Sequence, residues 1–152
     1  MPERFDPPIP LPFKGARALR WLLVVGWMAV IFMASADTAS GDHSGAMVRT
    51  VFGLLGLDAT PERLALVGHL FRKASHFTEY AILALLWAWA LPPGRYRLML
   101  AWAAATAYAA TDEWHQAFVP GRGPALTDVG IDSLGAATAL LASWLWRRLR
   151  RY

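Results

Sequence analysis

Four stretches of the sequence contain no charged residue and dominate its hydrophobic pattern. They cover residues 21–36, 80–94, 98–111 and 133–146, and are 14 to 16 residues long. Each is shorter than the roughly 20 residues that cross the hydrocarbon core of a bilayer, so a span must include part of the flanking sequence. With those flanks, the pattern predicts four transmembrane helices.

The charged residues that bound these windows alternate in sign along the chain. The first and third windows have their basic end first, whereas the second and fourth have it last. In chain order the bounding residues are Arg20 and Asp37, Glu79 and Arg95, Arg97 and Asp112, and Asp132 and Arg147. This alternation predicts an all-α polytopic membrane protein, an up-down four-helix bundle with one basic and one acidic face.

Basic residues also orient this bundle. Most of the 15 lysine and arginine residues lie in the N-terminal segment, in the connection between the second and third windows, or in the tail. By the positive-inside rule we expect both termini in the cytoplasm and the acidic face outward. The predicted organisation is a Pro-rich cytoplasmic lead (residues 1–18), a membrane domain (residues 19–147) and a basic cytoplasmic tail (residues 148–152).

The connection between the first two windows contains further helical signals. Apolar residues with helical spacing predict an amphipathic segment at the membrane interface; they are Met47, Val48, Val51, Phe52, Leu54 and Leu55. Thr60-Pro61-Glu62 has the composition of a helix start, and this helix can continue into the second span. Thr127 is predicted to cap the fourth span.

Composition excludes several classes of protein. With 56% hydrophobic and 17% charged residues and no cysteine, the chain is neither disordered nor a disulfide scaffold, and it has no thiol chemistry. The sequence pI is near 10, yet the basic residues form no patch interleaved with aromatics, so we expect no nucleic-acid partner. A soluble bundle with a very apolar core is the alternative. A cleaved signal peptide is disfavoured because three apolar windows follow the first.

The side chains that can carry chemistry fall on the predicted outer face, in three separate parts of the chain. The predicted acid–base residues are His76, Glu79, Asp112, Glu113, His115 and Asp128, and the predicted substrate-binding residues are Lys73, Tyr80, Gln116, Arg122 and Asp132. Spacings of three, four and seven place members of each group on one helix face. Glu79 and Asp132 lie about one turn inside the apolar boundary. They need partners, because an ionised carboxylate there costs on the order of 3 kcal/mol.

Structural interpretations compete with functional ones for several of these residues. Histidine–carboxylate pairs can serve as contacts between helices. Tyr80 can pack or anchor at the interface, and Arg122 can be solvated or contact lipid head groups. His43 and His69 stand outside the groups and are interpreted as structural, and Ser35 as a helix-end residue.

The motifs at residues 73–80 (KASHFTEY) and 112–122 (DEWHQAFVPGR), followed by Asp128 and Gly135, resemble the signature of the VanZ-like family of small bacterial membrane proteins. The resemblance covers residues 19–146. It implies a four-helix domain in the bacterial cytoplasmic membrane and an association with low-level resistance to teicoplanin. Asp132 departs from the pattern, since the family usually has Asn there.

The predicted site combines features of anion binding and of acid–base chemistry. Helix N-termini, Lys73 and Arg122 attract an anion, and histidines beside carboxylates move protons. We expect a phosphorylated lipid or lipid-linked envelope component as partner and, if the protein is an enzyme, phosphoryl hydrolysis or transfer. A non-catalytic lipid or antibiotic binder and a proton-coupled transporter are the alternatives. No cofactor is assigned with certainty, and a divalent metal is a variant, since the spacing of residues 76, 79, 112 and 115 is one that metal sites in helical bundles use.

Overall fold

The computed structural model describes residues 14–36, 40–57, 60–118 and 125–150. Across these ranges the chain forms helices and no strand: α1 (Lys14–Ala36), α2 (Ser40–Leu54), α3 (Pro61–Ala90), α4 (Arg97–Gln116) and α5 (Leu126–Leu149). The predicted all-α class is therefore observed. Most of the predicted Pro-rich lead lies outside the described residues, and α1 begins at Lys14, within the span assigned to that lead.

The longest helix, α3, begins and ends where its sequence signals lie. The Thr60 hydroxyl accepts a hydrogen bond from the backbone N–H of Arg63 at 3.4 Å, and Pro61 occupies the first turn. Proline has no N–H to leave unpaired at this position. The helix continues without a break into the second apolar window and ends before Pro92 and Pro93. The predicted helix start at Thr60 is confirmed.

The predicted amphipathic segment forms α2, which packs against α3. Val48 is buried in this contact, whereas Met47 and Leu54 remain exposed. The chain leaves α2 through Gly56, whose φ of 64° is readily available only to glycine. The helical nature of this segment is thus observed, and its position at a membrane interface stays a prediction.

Small residues allow the other helices to approach α3 closely. The buried face of α4 carries alanine at every fourth position, Ala101, Ala105 and Ala109, each fully buried. The most extensive helix contact joins α3 and α5. There Gly135 faces the backbone of Phe77 so closely that a Cβ on Gly135 would lie 3.0 Å from the Phe77 carbonyl carbon. Such close packing is typical of helices that associate in membranes.

Two helices in the described part of the chain are long and apolar enough to cross a membrane. These candidate spans are Gly15–Ser35 and Leu126–Leu149, with mean hydropathies of 1.8 and 1.3. Large apolar side chains on them face outward, for example Leu22 at 68% exposure and Leu141 at 56%. Neither helix is therefore the buried core helix of a soluble protein. The four-span bundle stays a prediction.

Contacts between helix ends show how α1 lies against α3. The Arg20 guanidinium, near the start of α1, lies 5.0 Å from the ring centroid of Trp89, near the end of α3. Trp21 and Trp87 meet edge to face beside them, with centroids 5.3 Å apart. α1 and α3 are therefore antiparallel, and the C-terminal end of α1 is carried away from this aromatic–arginine region.

Candidate functional site

Polar side chains meet where the C-terminal ends of α1 and α4 approach the start of α5 and the middle of α3. We call this group the polar cluster. Its members are Ser35, Lys73, His76, Glu79, Tyr80, Asp112, Glu113, His115, Gln116, Asp128 and Asp132. Ten of the eleven predicted site residues are in it; Arg122 lies outside the described residues. The cluster also contains Ser35, which sequence reasoning interpreted as a helix-end residue.

Asp112 is the acceptor at the junction of α1 and α4. The Ser35 hydroxyl donates to its Oδ2 at 2.7 Å, and the Gln116 amide donates to the same oxygen at 3.1 Å. All three residues are at most 6% exposed. The Asp112 Oδ1 atom is also buried, and no described residue donates to it. The position of Ser35 at the end of an apolar window was the available sequence signal for this contact. A hydroxyl that is buried there needs a hydrogen-bond partner.

Lys73 and Asp128 form an ion pair between α3 and α5. Each side chain is about one quarter exposed, at 23% and 24%. The Thr127 hydroxyl also donates to the carboxylate of Asp128, at 3.3 Å. The ammonium group predicted to hold an anionic substrate is therefore already engaged by a carboxylate of the protein.

His76 and Asp132 are a second pair between the same two helices. The His76 Nδ1 atom lies 3.8 Å from Asp132 Oδ1, and the Asp132 side chain is only 1% exposed. Four other carboxylates lie within electrostatic reach of Asp132; they are Glu79, Asp112, Glu113 and Asp128. Asp132 is thus a fully buried acid with four other carboxylates near it.

Glu113 links the end of α4 to the start of α5. Its Oε2 atom accepts the backbone N–H of Ala125, the N-cap residue of α5, at 2.8 Å. The prediction that Thr127 caps this helix is wrong, because the helix already begins at Leu126 and Thr127 lies inside its first turn. In a capping box, a glutamate of the same helix accepts the backbone N–H of the N-cap residue. Here the accepting glutamate belongs to a neighbouring helix.

His115, Tyr80 and Glu79 complete the cluster. The His115 ring lies against Phe32 of α1, with centroids 4.3 Å apart, and its buried Nδ1 has no partner in the described ranges. Tyr80 is fully buried in the apolar core, which fits the packing interpretation of its ring, and its hydroxyl also lacks a described partner. Glu79 lines a groove of about 330 Å³ beside Trp27.

The charges of the cluster are unbalanced. Its described members include five carboxylates but a single lysine and two histidines. No three histidine, aspartate or glutamate side chains among the described residues come together as ligands for a metal ion, so the metal alternative has no ligand set in that part of the chain. The arrangement can transfer protons and make hydrogen bonds. Binding an anion requires a further cation, and Arg122 is the predicted one.

Comparison with known proteins gives one assignment. The family model of VanZ/LLP1 matches residues 20–147, which is most of the chain. The match confirms the resemblance found in the motifs of residues 73–80 and 112–122. No curated protein and no solved structure gave a significant match.

Proposed function

We propose, given that this chain belongs to the VanZ/LLP1 family, that it is an integral membrane protein whose polar cluster binds or processes a phosphorylated lipid or lipid-linked component of the cell envelope. The observation that carries the proposal is that the cluster buries polar atoms to which no described residue is hydrogen-bonded, so it has unused hydrogen-bonding capacity. Contacts between helices need one acceptor for each donor, yet Asp112, Glu113 and Asp132 each bury a carboxylate oxygen without a hydrogen-bond donor among the described residues. Buried unsatisfied groups destabilise a fold, so their concentration in one place supports a functional role.

The proposed setting is the bacterial cytoplasmic membrane, with four spans, both termini inside and the cluster facing outward. Two apolar helices and the alternating charges support it. Because the chain has no cysteine, single cysteines at Gly94 and at Thr127 test it directly. A membrane-impermeant maleimide added to intact cells should label position 127 and leave position 94 unlabelled. Equal labelling at both positions would contradict the proposed topology.

His115 is the proposed base or nucleophile. Its Nδ1 lacks a described partner, and the acids Asp112 and Glu113 lie in the same turns of α4. In a phosphoryl hydrolase or transferase, this imidazole would accept the proton of the attacking group or attack the phosphorus itself, and a protonated carboxyl group would supply the proton for the leaving oxygen. Lys73 and Arg122 would hold the phosphate, which requires Lys73 to exchange Asp128 for the substrate.

Transport is less well supported than binding or processing. In the other half of the bundle the buried side chains of the described residues are apolar, among them Val24, Leu83, Ala88, Ala101 and Leu140. No histidine or carboxylate is buried there within the described ranges. A proton-coupled transporter needs ionisable groups that communicate with both faces. The proposed topology would give the described cluster access to one face only.

The central test is the identity of the lipid that accompanies the purified protein. Wild type, Arg122→Ala and the control Arg63→Ala should be purified in the same detergent, and their lipids compared by mass spectrometry. Arg63 is exposed in the first turn of α3 and outside the cluster. We expect a phosphorylated lipid enriched with wild type and Arg63→Ala and depleted with Arg122→Ala. Equal retention by all three would refute the phosphate part of the proposal.

A second variant separates an enzyme from a binder. If the protein is an enzyme, His115→Ala should retain the lipid and lose its turnover, measured as release of inorganic phosphate or as transfer to an acceptor. If it is a binder, His115→Ala should lose the lipid itself. Drug susceptibility of cells that express wild type or His115→Ala tests the association with teicoplanin resistance that the family resemblance implies.

A further inference from the structure

A groove lies between the start of α4 and the end of α5, on the surface of the bundle and toward the end opposite the polar cluster. We call it the tryptophan groove. Its volume is about 420 Å³, and its lining is apolar and aromatic, consisting of Leu98, Met99, Trp102, Leu140, Leu141 and Trp144. The Trp102 indole N–H donates to the backbone carbonyl and the hydroxyl of Ser133, at 3.3 and 3.1 Å. These bonds to α5 hold the Trp102 ring in place as one wall of the groove.

Arg148 lies at one end of the tryptophan groove. Leu141, Trp144 and Arg148 are spaced i, i+3 and i+7 along α5, and residues with this spacing share one face of a helix. The Arg148 guanidinium also lies over the Trp144 ring, 4.8 Å from its centroid. A direct contact therefore joins this cation to a residue that lines the groove.

No described carboxylate neutralises Arg148. Residues 80–111 and 133–150, which form this end of α3, α4 and α5, contain neither aspartate nor glutamate. Within the described ranges the Arg148 guanidinium has no ion pair and donates no hydrogen bond, whereas the neighbouring Arg147 donates to the Ser143 hydroxyl at 2.8 Å. Guanidinium groups bind phosphate oxygens strongly. The charge of Arg148 is therefore complementary to an anionic group outside the protein.

We propose that the tryptophan groove binds an anionic phospholipid, with the lipid phosphate on Arg148 and one acyl chain between α4 and α5. The α5 backbone rises about 10 Å from Leu141 to Arg148, a distance that an extended acyl chain covers. In the proposed topology this lipid belongs to the cytoplasmic leaflet.

Charge selects this occupant over the two alternatives. A zwitterionic lipid presents the same phosphate together with a cation of its own, and a second copy of the chain would bring a further arginine-rich end to the same place. Like charges brought together in this way oppose binding. The inference shares with the proposed function only the location of the chain in a membrane.

Native mass spectrometry of the purified full-length chain tests this site. The probes are phosphatidylglycerol and phosphatidylcholine with the same acyl chains. Wild type should bind phosphatidylglycerol in preference to phosphatidylcholine. An interfacial arginine contributes roughly a fivefold preference for anionic lipid, so Arg148→Gln should weaken phosphatidylglycerol binding about fivefold.

Arg150 provides the matched control at the same end of α5. Its guanidinium also lies over a tryptophan, 4.4 Å from the centroid of the Trp146 ring. Trp146 does not line the tryptophan groove, because it is two residues, or about 200° of helix rotation, from Trp144. Arg150→Gln should therefore bind phosphatidylglycerol as wild type does. An equal loss in the two arginine variants would show a general attraction of the basic end for anionic lipid and would overturn the inference.

A second pair of variants tests the position of the acyl chain. Leu141→Trp fills the tryptophan groove and should weaken phosphatidylglycerol binding several-fold. Leu145→Trp adds the same side chain at an exposed position of α5 outside the groove and should bind as wild type does. Far-UV circular dichroism verifies the fold of each variant, and Met99→Trp on the α4 wall replaces Leu141→Trp if that variant does not fold.

Three further results would overturn the inference. They are equal binding of the two lipids by wild type, wild-type binding by the variant that fills the groove, and a dimer that this variant dissociates, which would place a second copy of the chain in the groove.

The two proposals fail independently. Arg148→Gln should retain whatever phosphorylated lipid co-purifies through Arg122, because the tryptophan groove lies away from the polar cluster. If Arg122→Ala abolishes binding of phosphatidylglycerol and Arg148→Gln does not weaken it, that lipid occupies the polar cluster and the inference of a separate site is wrong. Equal lipid retention by wild type and Arg122→Ala would refute the phosphate part of the proposed function and leave the tryptophan groove unaffected.

Discussion

Replacing Gly135 by alanine tests the closest approach between two helices of this fold. The added Cβ would lie 3.0 Å and 3.1 Å from the carbonyl carbon and Cα of Phe77, and closer still to its carbonyl oxygen. These are backbone atoms and cannot rotate away, so α3 and α5 must separate. Because the Lys73–Asp128 pair joins the same two helices, this separation would also disturb the polar cluster.

The magnitude follows from two opposing effects. Alanine in a helix interior is favoured over glycine by about 1 kcal/mol. Forcing an extra methyl group into a well-packed interior costs about 1–3 kcal/mol. The second effect should win, because the neighbouring atom of Phe77 belongs to the backbone. We expect Gly135→Ala to unfold more easily than wild type, even though alanine favours a helix more than glycine does.

Gly130 in the same helix provides the matched control. A Cβ on Gly130 would meet nothing within 4 Å. Gly130→Ala should therefore benefit from the higher helix propensity of alanine without any clash, and become more stable by up to about 1 kcal/mol. Since both variants receive the same gain, the difference between them isolates the clash, at about 1–3 kcal/mol. Unfolding in mixed micelles of increasing SDS content, followed by circular dichroism, measures both. Equal stability of the two variants would refute the close contact of α3 and α5.

Three further predictions concern the polar cluster and use the same unfolding assay. Ser35→Ala removes a hydrogen-bond donor to the buried carboxylate of Asp112 and should destabilise the protein by about 1–3 kcal/mol. The control Ser75→Ala removes a hydroxyl outside the cluster and should change stability by less than about 0.5 kcal/mol. Lys73→Gln and Asp128→Asn should be non-additive, with a coupling of about 0.5–3 kcal/mol in a double-mutant cycle; additive effects would show that the pair does not interact. Asp132→Asn should raise stability, because four other carboxylates lie within electrostatic reach of Asp132 and an amide carries no charge for them to repel. A loss of stability would show that the contact with His76 outweighs that repulsion.

Signals confined to a few neighbouring residues were the most predictable features. The start of α3 at Thr60 and the helical spacing that became α2 could be predicted because capping and amphipathicity depend on residues within a turn or two of each other. The start of α5 was predicted wrongly at Thr127. The feature at its N-cap is a hydrogen bond from Ala125 to Glu113, and no local pattern in residues 125–128 reports a partner on another helix.

The sequence by itself determined that the chain is helical, and its motifs determined the VanZ/LLP1 family. It also indicated which residues would meet, because alternating charges at the window ends imply which helix ends are neighbours. Only the tertiary structure decided the pairings: Ser35 with Asp112, Lys73 with Asp128, and His76 near Asp132. Such pairings depend on helix rotation and separation, which are set by the packing of small residues far apart in the chain. Helical periodicity fixes the face on which a side chain lies, and only the packed neighbour fixes what it touches.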